Sequence, residues 1–74
     1  MSTNILVHVN AKTTLSHDFT NLLDGLVWIK SKYLTFEYII IDYDSCVTYE
    51  NFNNYLKDVN EFYREFYGCY YPNL

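Results

Sequence analysis

The chain has 74 residues, 50% of them apolar and 20% aromatic, with five Lys or Arg against nine Asp or Glu and a formal net charge of −4. A chain of this length supports one domain, residues 1–74, with one core and marginal stability. The excess of acids argues against direct nucleic-acid binding, which needs a basic stripe to release counterions, and against an anionic membrane surface.

The N-terminal stretch MSTNILVHVN has no basic segment of the kind that opens a signal peptide, and its apolar run is broken by His8. Residues 4–10 alternate, with Ile5, Val7 and Val9 on one face, and read as a strand. Residues 11–14 read as a loop. Ser16 is a candidate N-cap for a first helix over 16–33, with Leu15, Phe19, Leu22, Leu23, Leu26, Ile29 and Tyr33 on one apolar face. Gly25 weakens the middle of that helix. Residues 35–43, TFEYIIIDY, are β-branched and aromatic and read as a second strand. It is apolar on both faces, so cover on both sides is expected.

Thr48 is a candidate cap for a second helix with Glu50 in its first turn, and Gly68 is a suitable stop ahead of Pro72. Phe52, Tyr55, Leu56, Val59, Phe62, Tyr63 and Phe66 form the arc expected to be buried. The expected fold is an α/β (α+β) unit, β-α-β-α, around a two-stranded sheet, three-stranded if the tail adds a strand. If the two strands are parallel, their crossover is right-handed. The two halves hint at a repeat, with ILVHVN matching IIIDYD and FTNLL matching FNNYL.

Few residues suggest chemistry. Cys46 and Cys69 bracket the second helix, whose rise of about 30 Å forbids a disulfide within the chain, so free thiols in a reducing compartment are expected. Cys46 before a helix start could act as a nucleophile beside His8 or His17, but loop cysteines are common. Asp42 and Asp44 close an apolar strand and could hold Mg²⁺ for phosphoryl transfer or nuclease chemistry. The plainer reading is a solvated loop before a helix N-terminus. The histidines lack metal-ligand spacing, and no cofactor is implied.

The surfaces say more. Glu50, Asp58, Glu61 and Glu65 share an arc of about 80° on the second helix, with Lys57 and Arg64 on the adjoining strip. Trp28 sits on the polar side of the first helix, a hot-spot residue type unless the tail tyrosines cover it. Tyr67, Tyr70 and Tyr71 lie at or past the second helix end and add either a third strand or exposed rings.

Small size, acidity and the absence of catalytic motifs point to a protein–protein interaction protein rather than an enzyme. Its expected partner is a protein with a basic surface, contacted through Trp28, Tyr55, Glu50, Asp58, Glu61, Glu65, Tyr67, Tyr70 and Tyr71. A composition rich in Tyr, Asn, Phe and Ile and poor in Ala, Gly and Pro resembles virus or mobile-element genes. An inhibitor occluding the nucleic-acid-binding surface of a host enzyme, an anti-defence role in host cytoplasm, fits that origin. A self-associating structural or adaptor protein is the alternative, and the Asp-x-Asp metal-dependent enzyme a third. A homodimer is expected, because the strand EYIIID has too few partners within one chain.

Overall fold

A computed structural model describes residues 2–74. The elements in chain order are β1 (Thr3–Asn10), β2 (Thr13–Phe19), α1 (Leu22–Lys32), β3 (Tyr38–Ile41), β4 (Ser45–Thr48) and α2 (Tyr49–Tyr67). They form a four-stranded antiparallel sheet in the order β2-β1-β3-β4 with two helices. The mixed α+β class holds, but the count of two or three strands is corrected to four. Since β1 and β3 pair antiparallel, no right-handed parallel crossover exists.

Two strands lie where the sequence suggests none: β4 directly precedes the second helix, and β2 overlaps the start of the expected first helix. The stretch TTLSHDF also alternates, but its odd positions coincide with a helical spacing that continues into Leu22 and Leu23. Asn21, not Ser16, caps α1: its side chain accepts from the Asp24 backbone N–H at 2.9 Å. Leu15 and Phe19 therefore belong to the strand. Gly25 is buried where a side chain would collide with Phe19, since an added Cβ would lie 2.7 Å from that ring. At the second helix the expectation was close. Thr48 is at the N-cap position, although its side chain makes no cap bond. Gly68 ends the helix in the left-handed conformation at φ 68°, the geometry that a residue without Cβ tolerates.

Both helices cover one face of the sheet. Ile5 and Val7 of β1, Ile39 and Ile41 of β3 and Val47 of β4 point inward onto Leu23, Leu26 and Ile29 of α1 and Phe52, Leu56 and Val59 of α2. Six of these side chains are less than 2% exposed, which makes this the main source of stability. The other face has no helix. Leu6, Tyr38 and Ile40 lie on it half-buried, and the His8 ring stacks on Tyr38 at 4.5 Å. Cover on both sides of residues 35–43 is thus corrected to cover on one. The shortage of strand partners expected there is also gone, because β3 is flanked by β1 and β4.

The faint repeat becomes two β-β-α units meeting at the β1–β3 pair. The buried Ile5 and Val7 correspond to Ile39 and Ile41. The second sequence match does not survive, since Phe19 ends a strand while Phe52 lies inside a helix.

The tail forms no strand. Asn60, 8% exposed, holds it: its Oδ1 accepts from the Tyr71 N–H and its Nδ2 donates to the Tyr71 carbonyl, both at 2.9 Å. Tyr71 then donates its phenol hydrogen to Asp24 on α1 at 2.6 Å. A buried amide satisfied by a backbone N–H and C=O imitates a strand pairing one residue long.

Candidate functional site: an acidic pole with bare rings

Chain direction sorts the charges. β1 runs toward the β1–β2 turn, which carries Lys12, and β2 returns to end at Asp18 and Phe19. At that returning end Asn4 is opposite Asp18 and receives Asp42, whose Oδ1 accepts from the Asn4 N–H at 2.9 Å. Asp24 opens α1 at the same end. α2 starts at the far end, where the Tyr49 N–H donates to the Glu37 carbonyl. It then descends past the β3–β4 turn, bringing Asp58, Glu61 and Glu65 to the end that already holds Asp18, Asp24, Asp42 and Asp44. Two basic residues lie on this part of α2: Lys57 next to Asp58, and Arg64, 3.2 Å from Glu61. Lys12, Lys30 and Lys32 gather at the opposite end with Glu37 and Glu50. The molecule is 39 Å along its longest axis, several Debye lengths at physiological salt, so a partner senses the poles separately.

Helix length exposes the rings. The 19 residues of α2 rise about 28 Å, whereas the four residues of β4 span about 13 Å. The last turns project beyond the sheet, so the apolar strip has nothing to cover it. Phe62 is 48% and Phe66 66% exposed, with ring centroids 4.5 Å apart. Their expected burial is corrected: periodicity gave the strip, but the sheet ends before reaching it. Tyr63, nearer the sheet, does pack on the core, and its hydroxyl accepts from the Leu22 N–H at 3.2 Å.

The β3–β4 turn adds a third ring. The Asp44 N–H donates to the Ile41 carbonyl at 3.0 Å, and Asp42 and Tyr43 both have left-handed φ, 50° and 61°. Asp accepts that conformation readily, whereas a bulky residue there is strained. Tyr43 is 75% exposed between two carboxylates.

Beside this turn a groove runs between β4 and α2, lined by Ser45, Cys46, Thr48, Asn51, Tyr55 and Asp58. Tyr55 is half-buried in it. Burial raises its phenol pKa, with the Asp42 charge and Tyr63 adding to the rise, so Tyr55 remains a neutral hydrogen-bonding ring at any physiological pH.

The residues expected to bind a partner divide into four places. Tyr55 and Asp58 meet at the groove, and Glu61 and Glu65 continue along the same face of α2. Glu50 belongs to the opposite end of that helix. Trp28, 37% exposed, is on the far side of the molecule and is covered by β2 rather than by the tail, with His17 at 4.7 Å and Phe19 at 5.4 Å. Tyr67, Tyr70 and Tyr71 border α1, where Tyr71 is held by Asn60 and Asp24 and the Arg64 guanidinium lies over Tyr70 at 5.5 Å. Tyr43, Phe62 and Phe66 were missed as surface residues. The left-handed turn at Tyr43 has no sequence signal beyond its flanking aspartates.

Asp42 and Asp44 stand as a pair. Among the described residues no three His, Cys, Asp or Glu side chains converge as a ligand set, and the Asp42 carboxylate already accepts the Asn4 N–H. Cys46 and Cys69 are both exposed free thiols. His8 is engaged with Thr14 and Glu37, and His17 shares a 2.7 Å hydrogen bond with Tyr33. Among the described residues neither ring bonds to Cys46. No helix there is long and apolar enough to cross a membrane. No protein-family model matches this chain, and no curated protein and no solved structure matches it either.

Proposed function

We propose that this chain is a small acidic binding protein that seats its acidic pole on a basic surface of a partner protein. The observation that supports this reading is the coincidence of sorted charge with uncovered rings: Tyr43, Phe62 and Phe66 are exposed at the end that carries the carboxylates. Charge complementarity accelerates encounter and selects the partner, while aromatic anchors slow release. Lys/Arg-rich protein surface commonly serves to hold phosphates, and carboxylates can occupy the same positions. The chain then acts as an inhibitor by occlusion. With the composition of a virus or mobile-element gene, it acts in host cytoplasm on a nucleic-acid-handling enzyme. Tyr55 and Asp58 line the contact, Glu61 and Glu65 extend it, and Phe62 replaces Trp28 as the expected hot spot.

The test begins with capture of the partner from the source or host cell and its identification by mass spectrometry, followed by binding kinetics. Reversing Asp58 and Glu61 to Lys should slow association and flatten its salt dependence with the fold intact. Phe62→Ala should instead raise the dissociation rate by about thirtyfold, the effect of a hot spot near 2 kcal/mol. A partner bound with unchanged kinetics by both variants would refute the proposed surface.

A further inference from the structure

We propose that β2 is the surface through which a second copy of this chain joins the sheet, by antiparallel pairing of β2 with β2 of the other copy about a two-fold axis at Ser16. This goes beyond the partner reading above and uses different residues on the other side of the molecule.

The two edges of the sheet are unlike. β4 has four residues, short as protected edges are, and is bordered by Asp44 and Asp58. β2 has seven residues, Thr13–Phe19, containing neither Pro nor Lys, and among the described residues no strand pairs with its outer side. Edges of that length are normally blocked. Here the flanking side chains are apolar: Leu15 is 43% exposed and Trp28, resting on His17, is 37% exposed.

Ser16 is the middle residue of β2. Pairing centred there uses the full strand and sets Thr14 opposite Asp18 of the other copy and Leu15 opposite its His17. The Trp28 ring lies tilted against His17, centroids 4.7 Å apart, so the incoming Leu15 arrives against the indole, and each protomer covers the other's exposed apolar pair. Lys12 falls diagonal to Asp18 across the axis, on the same face of the sheet, an attractive cross-strand placement. The axis also reverses the second molecule end for end. Its Lys12, Lys30 and Lys32 then lie beside the acidic pole of the first, where a parallel arrangement would bring like poles together. The result is an eight-stranded sheet with all four helices on one face and, at the opposite sheet edge, the Asp58, Glu61 and Phe62 surface of each copy still open.

The test is sedimentation of the full chain at about 1–100 micromolar, the range in which one strand pair with two apolar flanks should associate. Wild type should approach twice the 8.9 kDa chain mass as concentration rises. Thr14→Glu puts a carboxylate opposite Asp18 twice per dimer and should raise the dimer Kd about tenfold. Adding Asp18→Lys should restore it. In a Cys46→Ser, Cys69→Ser background, Ser16→Cys should form a disulfide dimer on oxidation, since directly opposed Cα atoms lie about 4.5–5.5 Å apart, within the span a disulfide bridges. That readout remains even if Thr14→Glu fails to fold. A wild type that stays at one chain mass throughout, a Kd indifferent to the Thr14 and Asp18 exchanges, or a Ser16→Cys variant that does not cross-link would each overturn the proposal. Reversing Asp58 and Glu61 should leave the dimer intact, which separates this result from the partner reading.

Discussion

Phe66→Ala and Leu56→Ala should behave very differently, although both residues sit on the apolar strip of α2. Leu56 is 1% exposed beneath the sheet, so its truncation removes transfer free energy and leaves a cavity, about 2.7–5 kcal/mol. Phe66 is 66% exposed. A phenylalanine offers about 200 Å² to bury, so its covered third contributes at most about 1.7 kcal/mol at ~25 cal/mol per Å². Residual burial in the unfolded chain lowers that by about 10–40%. Alanine's better helix propensity returns about 0.5 kcal/mol, which leaves a net cost of about 0.5–1 kcal/mol. Total stability for a domain of this size is about 4–11 kcal/mol. Leu56→Ala should therefore unfold a large fraction of the protein in mild urea, while Phe66→Ala shifts the midpoint slightly. Urea titration followed by circular dichroism measures both. A loss above about 2 kcal/mol for Phe66→Ala would mean the ring is core after all, and the bare-ring account of the acidic pole would fail with it.

Asn60→Leu should free residues 69–74 without unfolding the sheet, because the two bonds to Tyr71 contribute about 1 kcal/mol each; hydrogen exchange at the Tyr71 amide should accelerate while β1 amides remain protected. The Tyr71 phenol pKa is raised, first by its hydrogen bond to Asp24, then by burial and the Asp24 charge. Its contribution is therefore complete below the ordinary phenol pKa near 10 and is lost as pH rises through the higher folded value. Tyr71→Phe should flatten alkaline unfolding, and an unchanged profile would exclude the contact. Both thiols should label in the native protein, giving two modifications per chain under non-reducing conditions; a bridged chain would contradict their separation by α2.

Local pattern and tertiary context can be separated residue by residue. The second helix, its start after Thr48 and its stop at Gly68 were legible because amphipathic period, cap position and left-handed glycine all act within a few residues. The inward Ile and Val of β1 and β3 were legible for the same reason, since strand alternation is a property of neighbouring side chains. The acidic arc of α2 followed from helical geometry alone.

Three features depended on where separate segments end in space. Residues 13–19 satisfy both a helical and a strand spacing, and pairing with β1 decides for the strand. That pairing in turn covers Trp28 with His17 and Phe19, which no helical wheel contains. Phe62 and Phe66 carry the same apolar signal as Leu56 and Val59, yet they are exposed because β4 is shorter than the helix beside it. The gathering of Asp18, Asp24, Asp42 and Asp44 with the end of α2 depends on strand direction, which only the assembled sheet specifies. Periodicity reports which side of an element is apolar; whether anything lies against that side is settled by the lengths and directions of its neighbours.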